Sequence, residues 1–219
     1  MNGMTTPEAR ARLELQGMTS RDVALPGEPQ EDLRMGSLRV EPRDGSFDIV
    51  AWDYGMQVTL MRCRTLGEAV STVEERWRTR PQLAQEVPRA QWETYASEMT
   101  ERLRSLAPAL DDGRLVRTTL PAGSVVDRFG NLDGFLLFPA GTPMAHRSLP
   151  PSALDPHRAN LGLLSFGVVN SLGVVAKRIA PAFGQPGGGV LFKLADDGDT
   201  VRDLLQRGDL MMVTVTGDG

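Results

Sequence analysis

The sequence predicts an α+β fold: a small N-terminal β-meander with helices, followed by a mainly β C-terminal domain. Three patterns carry that expectation. Residues 37–63 form three strand-like runs separated by glycine-bearing turns, residues 65–107 switch to a helical period, and beyond Pro108 short β-like runs return, punctuated by Gly and Pro. At 219 residues, a chain of this length can bury one large core or two modest ones, and two is the expectation.

Residues 1–36 are polar, carry Pro26 and Pro29 and show no sustained apolar period, so they read as a short frayed helix and a linker. The meander follows: SLRVEP, a turn at Arg43-Asp44-Gly45-Ser46, FDIVAW, a turn at Asp53-Tyr54-Gly55, and MQVTLMRC. Thr65 stands three residues before Glu68, a capping-box spacing. Behind it Leu66, Ala69, Val70, Val73 and Trp77 recur at helical intervals. Pro81 and Pro88 interrupt the chain before a second helix over 91–107 with Trp92, Tyr95, Met99, Leu103 and Leu106 on one face, a stripe that belongs to a core. Residues 37–108 thus read as a small α+β unit and residues 109–219 as a separate, mainly β domain with one short helix near 200–206.

Composition excludes several chemistries. Lys and Arg total 24 against 28 acidic residues, a net charge of −4, which gives no basic excess for nucleic acid or an anionic membrane. The single cysteine, Cys63, excludes an intrachain disulfide, and with His146 and His157 as the only histidines no Cys/His zinc site can be assembled. The chemistry is expected to be metal-free or to use a carboxylate-held metal, and no residue is assigned to a metal. No run reaches the length of a membrane span, and the polar start is unlike a signal peptide. The expectation is synthesis in the cytoplasm, with any export by a non-classical route.

Three turn-rich motifs each contain a polar side chain that the turn does not require: Asp127-Arg128-Phe129-Gly130, Arg147-Ser148-Leu149-Pro150-Pro151, and Phe183-Gly184-Gln185-Pro186-Gly187-Gly188-Gly189. The last is no dinucleotide fingerprint: the G-x-G-x-x-G spacing is missing, a proline interrupts it, and VLFKL reads as a strand where a helix is needed. No P-loop lysine follows the glycines.

In their order, over about residues 120–210, these motifs resemble the signature of the TNT-type NAD⁺ glycohydrolases, the family of tuberculosis necrotizing toxin. The resemblance implies a small twisted β domain with a cleft for NAD⁺ or NADP⁺ as substrate, no cofactor, and hydrolysis of the nicotinamide–ribose bond. It assigns Arg128, Arg147 and Gln185 to catalysis. Phe129 is expected against the nicotinamide ring, and Gly187, Gly188 and Gly189 are expected to let backbone approach the ligand.

These residue types suit that chemistry. Two guanidiniums could clamp a pyrophosphate. Nicotinamide is a cationic pyridinium that departs neutral, so no general acid is required. A neutral amide at Gln185 can then position water or a ribose hydroxyl through its O and NH₂. Family context implies a bacterial toxin or effector, with a cognate immunity protein as partner. Leu136 stands where many members carry Tyr or Phe, and the 163–175 stretch is apolar where the toxins often carry a polar strand. A catalytically weakened NAD-binding or partner-binding module is therefore the alternative.

Overall fold

A computed structural model describes residues 3–31, 33–78, 84–150, 162–195 and 198–217. The fold is α+β, and the chain divides into two compact units. The first comprises residues 1–80, 131–135 and 198–200; the second comprises 81–130, 136–197 and 201–219.

In the first unit, helix α1 (Thr6–Glu14) starts at Thr5, whose backbone N–H donates to the Glu8 carboxylate at 2.8 Å. Strand β1 (Val23–Ala24) lies parallel to β2 (Ser37–Arg43), which continues antiparallel through β3 (Ser46–Asp53) and β4 (Met56–Cys63). Both hairpins close with two residues at positive φ: Asp44 at 45° with Gly45 at 78°, and Tyr54 at 49° with Gly55 at 78°. That twist matches the strands it joins. Helix α2 (Leu66–Arg78) begins as the Thr65–Glu68 spacing predicts, with the Glu68 N–H donating to Thr65 Oγ1 at 3.1 Å. It buries Leu66, Ala69, Val70 and Val73 while Trp77 is half-buried; full burial stabilises by about 1.5–3 kcal/mol for each Leu or Val.

Residues 1–36 correct the expectation of a frayed helix and linker. Ala9, Leu13, Met18, Val23, Ala24 and Leu25 are all buried, and Arg10 pairs with Glu28 while Arg12 pairs with Glu74 on α2. Isolated small and medium apolar residues build this packing, so it leaves no amphipathic period to read. Short C-terminal stretches complete the unit. The Asn131 N–H donates to Met35 C=O at 2.7 Å, the Phe135 N–H to buried Asp53 at 2.9 Å, and Arg76 Nη2 donates 3.0 Å bonds to buried Asp133 and to Thr200 Oγ1.

The second unit contains β5 (Gln85–Pro88), α3 (Arg89–Asp111), β6 (Val116–Leu120), β7 (Val125–Phe129), β8 (Leu136–Pro139), β9 (Leu163–Val168), β10 (Leu172–Arg178), β11 (Val190–Leu194), α4 (Val201–Arg207) and β12 (Leu210–Thr216). Helix α3 therefore groups with the β domain, and the division falls near residue 80, whereas the sequence suggested 108. Pro108 sits inside α3, which ends instead at Gly113 (φ 75°), where the Arg114 N–H reaches Ala109 C=O at 3.2 Å in a Schellman arrangement.

One sheet holds all eight strands, in the order β5-β12-β9-β7-β8-β11-β10-β6. Strands β9 and β10 stand four places apart, yet only Val169–Ser171 separate them in sequence. Four strand spacings make about 19 Å in a flat sheet, whereas four Cα steps span at most about 14 Å. The sheet must curl. Phe138, Phe166, Phe192, Leu136, Leu137 and Val174 are buried, and of the apolar 163–175 stretch Phe166, Val168, Leu172 and Val174 supply core while Leu163 and Val169 are exposed. Among the described residues no helix is long and apolar enough to cross a membrane.

Candidate active site

Strand β7 sets the geometry. Successive side chains of a strand point to opposite faces, so Asp127 and Phe129 share one face and Arg128 takes the other. Arg128 is fully enclosed, and its Nη1 donates to the Leu136 C=O at 2.9 Å. Leu136 is itself fully buried, occupying core.

Arg147 lies with Asp127 and Phe129. Its Nη2 donates to Asp127 Oδ2 at 2.9 Å and Nη1 to Oδ1, a bidentate pair, while Nε donates to Thr142 C=O at 2.9 Å. The guanidinium lies 4.8 Å from the centroid of the Phe138 ring and 5.6 Å from that of Phe129, within cation–π range. Arg147 and Asp127 side chains are each 2% exposed. Burial pushes the Asp127 carboxyl above its ordinary value, against the bonds and charge of Arg147, which pull it down. The expectation of two arginines converging on one pyrophosphate is thus corrected: they occupy opposite faces of β7, and both are enclosed.

Gln185 behaves differently. A tight turn, Ala182–Gln185, closes through reciprocal backbone bonds of 3.2 and 2.9 Å. From its end the Gln185 Nε2 donates to Leu149 C=O at 2.8 Å. That contact fixes the amide's orientation, because its oxygen could not face a carbonyl. Oε1 points away from it, buried, with no hydrogen-bond partner among the described residues.

The 145–149 segment and the 180–189 stretch that contains the glycine loop are stitched together at three further points. Ser148 Oγ donates to Ala180 C=O at 2.9 Å, the Gly187 N–H to Ala145 C=O at 3.3 Å, and the Gly189 N–H to His146 C=O at 3.0 Å. These bonds also account for the glycines. A Cβ on Gly187 (φ 66°) would stand 2.7 Å from Ala180 and Ile179 backbone, and one on Gly189 would stand 2.6 Å from His146 O. The expected close approach to a ligand is replaced at both positions by close approach to protein; Gly188 (φ 86°) has open space around its Cβ direction.

The structure thus brings Phe129, Arg147 and Gln185 to one region and leaves Arg128 across the strand. Pro151 and His157 lie outside the described residues. Phe183, beside Gln185, is a residue that sequence reasoning passed over. It is 60% exposed and holds φ 53° as the first residue of a turn whose second, Gly184, has φ 73°. Asn-Gly fills such a turn cheaply, whereas a bulky side chain there is strained, and strain of this kind concentrates at ligand sites. Phe-Gly at a turn was the available signal. Among the described residues no group of three or more His, Cys, Asp or Glu could hold a metal ion. Cys63 is buried in the first unit, and burial pushes its thiol up, as for an inert core cysteine.

The family model of tuberculosis necrotizing toxin matches residues 119–213, which span β7 through most of β12. The conidial surface nicotinamide adenine dinucleotide glycohydrolase nadA of Aspergillus fumigatus (strain ATCC MYA-4609 / CBS 101355 / FGSC A1100 / Af293) is 40% identical over 84 residues. Those residues make up 36% of this chain and 34% of that relative, so the match spans about a third of the relative's length. A chain in the solved structure of Tse6 in complex with Tsi6 superposes with a TM-score of 0.30 at 15% identity, covering 57% of this chain and 97% of that one. Motif order, the curled β unit and the family match agree: the C-terminal half of this chain carries a domain of the tuberculosis necrotizing toxin family.

Proposed function

We propose that this domain hydrolyses the bond between nicotinamide and ribose in NAD⁺ or NADP⁺, releasing nicotinamide and the corresponding ADP-ribose product. The observation that carries the reading is the Gln185 amide, locked by Leu149 C=O with its oxygen buried and unsatisfied among the described residues. An acceptor without a partner costs about 1–3 kcal/mol, and a ligand hydroxyl or a water that bonds it recovers this. A family match across the same loops and the name of the Aspergillus relative support the substrate.

In this reading the C–N electron pair leaves with the pyridinium nitrogen, and nicotinamide departs neutral. Water oxygen then bonds the anomeric carbon, and its proton passes to solvent. Gln185 Oε1 accepts from the ribose hydroxyl or from that water and so fixes its approach. Phe129 offers its ring to nicotinamide, and Phe183 offers a second aromatic surface at the rim. Arg147 acts beneath them, holding Phe129 through its charge and tying β7 to the loop that receives Gln185. The role of Arg128 is the same on the far face: it anchors β7 to β8. Gly187 and Gly189 permit the stitched loop, and Gly188 is the position left for backbone to meet ligand.

Turnover of an etheno-NAD⁺ analogue by the purified chain tests this. Gln185→Ala should lower kcat about 100-fold, the scale of losing one positioned hydrogen bond at a reacting centre. Full retention of turnover in that variant would refute the assignment of Gln185. A second reading, an NAD-binding or partner-binding module without turnover, is favoured by the enclosure of both arginines. It predicts NAD⁺ binding without nicotinamide release. A toxin or effector role with an immunity protein covering the cleft follows from the family alone. Growth arrest on expression, relieved by Gln185→Ala, is its test.

A further inference from the structure

A cavity of about 300 Å³ lies on the α3 side of the glycine loop, and Arg128, Phe129, Arg147 and Gln185 do not line it. Its polar lining includes Arg104, Arg178, His146 and the hydroxyl residues Thr100 and Thr142, with no acidic residue. Apolar walls come from α3 and from the Pro139–Pro143 segment. Arg104 and Arg178 bring two guanidiniums to the lining of one concavity. The acids that balance them, Glu101 for Arg104 and Asp111 for Arg178, sit outside the lining. A guanidinium carries five N–H donors, of which Arg178 spends one on Gly188 C=O at 3.0 Å and one on Asp111.

We propose that this cavity is a second ligand site, one that takes a small molecule bearing a pyrophosphate group. The cationic pair suits two neighbouring phosphates, His146 can add a donor, and the volume is at the lower end of small-molecule pockets, while the hydroxyls of Thr100 and Thr142 already donate to Ala96 and Pro139 C=O. Free pyrophosphate and a nucleoside diphosphate share this chemistry, and the apolar walls favour the latter. Gly188 and Gly189 of the glycine loop line the cavity, so it adjoins the loop that the hydrolase reading uses, and one side-chain bond reinforces the connection. Arg178 holds Gly188 C=O, and the same loop carries Gln185 three residues earlier. Drawing Arg178 onto a ligand therefore competes with its hold on Gly188. Occupancy and turnover are coupled through that bond, a corollary that rests on the hydrolase reading above.

Isothermal titration of the full chain with inorganic pyrophosphate, and separately with ADP, tests the site independently of turnover. Saturable binding is expected to both, tighter for ADP, and to persist in Gln185→Ala. In Arg104→Gln it should weaken about tenfold, as expected for loss of a charge-assisted contact, and further in Arg104→Glu. Arg104 is exposed and lies outside the proposed catalytic set, so these variants should fold as the parent does, which circular dichroism checks. Absence of saturable binding, unchanged binding in both Arg104 variants, or loss of binding in Gln185→Ala alone would each overturn the proposal. Failure of NAD⁺ turnover with pyrophosphate binding intact would count against the hydrolase reading and leave this site standing.

Discussion

Arg147 is the residue whose meaning changed most between sequence and structure. As a loop arginine beside a Ser-Leu-Pro-Pro turn it reads as a ligand clamp; folded, it neutralises Asp127 inside the protein. Arg147→Met should destabilise the chain by about 3–5 kcal/mol, because it strands a buried carboxylate, whereas Arg147→Met with Asp127→Leu should recover most of that loss. Urea unfolding of the three proteins measures both. The sign of the pH dependence follows from Asp127. Its folded-state carboxyl titrates above its unfolded value of about 3.8, so it contributes stability below that value, lost as pH rises through the folded one. Removing Arg147 takes away the charge that opposes this shift. The Tm deficit of Arg147→Met should therefore shrink as pH is lowered from neutral into the carboxylate range, and a deficit independent of pH would contradict the pairing. The residue types at the candidate site were legible, because turns do not ask for Arg or Gln. The direction of each side chain was not, since it depends on which face of β7 each neighbour occupies.

At the scale of elements, strands and helix α2 were legible because period and turn chemistry agree with the core. All three strands of the meander, α2, α4 and every described strand after Pro108 stand where alternation placed them. Strand β5 was missed: Gln85–Pro88 carries one buried side chain and pairs only with β12, so its four residues hold no pattern. Helix α3 was expected to end at 107 on the strength of Pro108, but the Gly113 stop decided it. The Phe183-Gly184 turn separates stability from function. Phe183→Asn relieves the strain of a bulky residue at positive φ and should raise Tm, while it should raise KM for NAD⁺ if the ring meets the ligand. Thermal melts alongside steady-state kinetics distinguish these effects, and an unchanged KM would remove Phe183 from the site. Gly187→Ala, with its Cβ 2.7 Å from Ala180 backbone, should shift the loop and reduce turnover without unfolding the domain. Circular dichroism beside the activity assay checks that.

On the scale of the whole molecule, the first unit is assembled from three separate stretches of chain, which sequence could not show because residues 131–135 and 198–200 are too short to carry a period. Within that unit Asn131 and Asp133 are buried, and Met35 and Arg76 are their partners. A fragment beginning at residue 84 would leave those polar groups without the partners they have here. It should melt at a lower temperature than the full chain, by differential scanning calorimetry, even though it contains the whole family match. The order of strands in the large sheet has a further consequence, in time. Strand β12, residues 210–216, lies between β5 and β9, so the sheet has a gap until this segment, translated after every other strand, has left the ribosome. For a chain whose proposed activity consumes a nucleotide that its own synthesis depends on, the topology completes the sheet only after translation has passed residue 216.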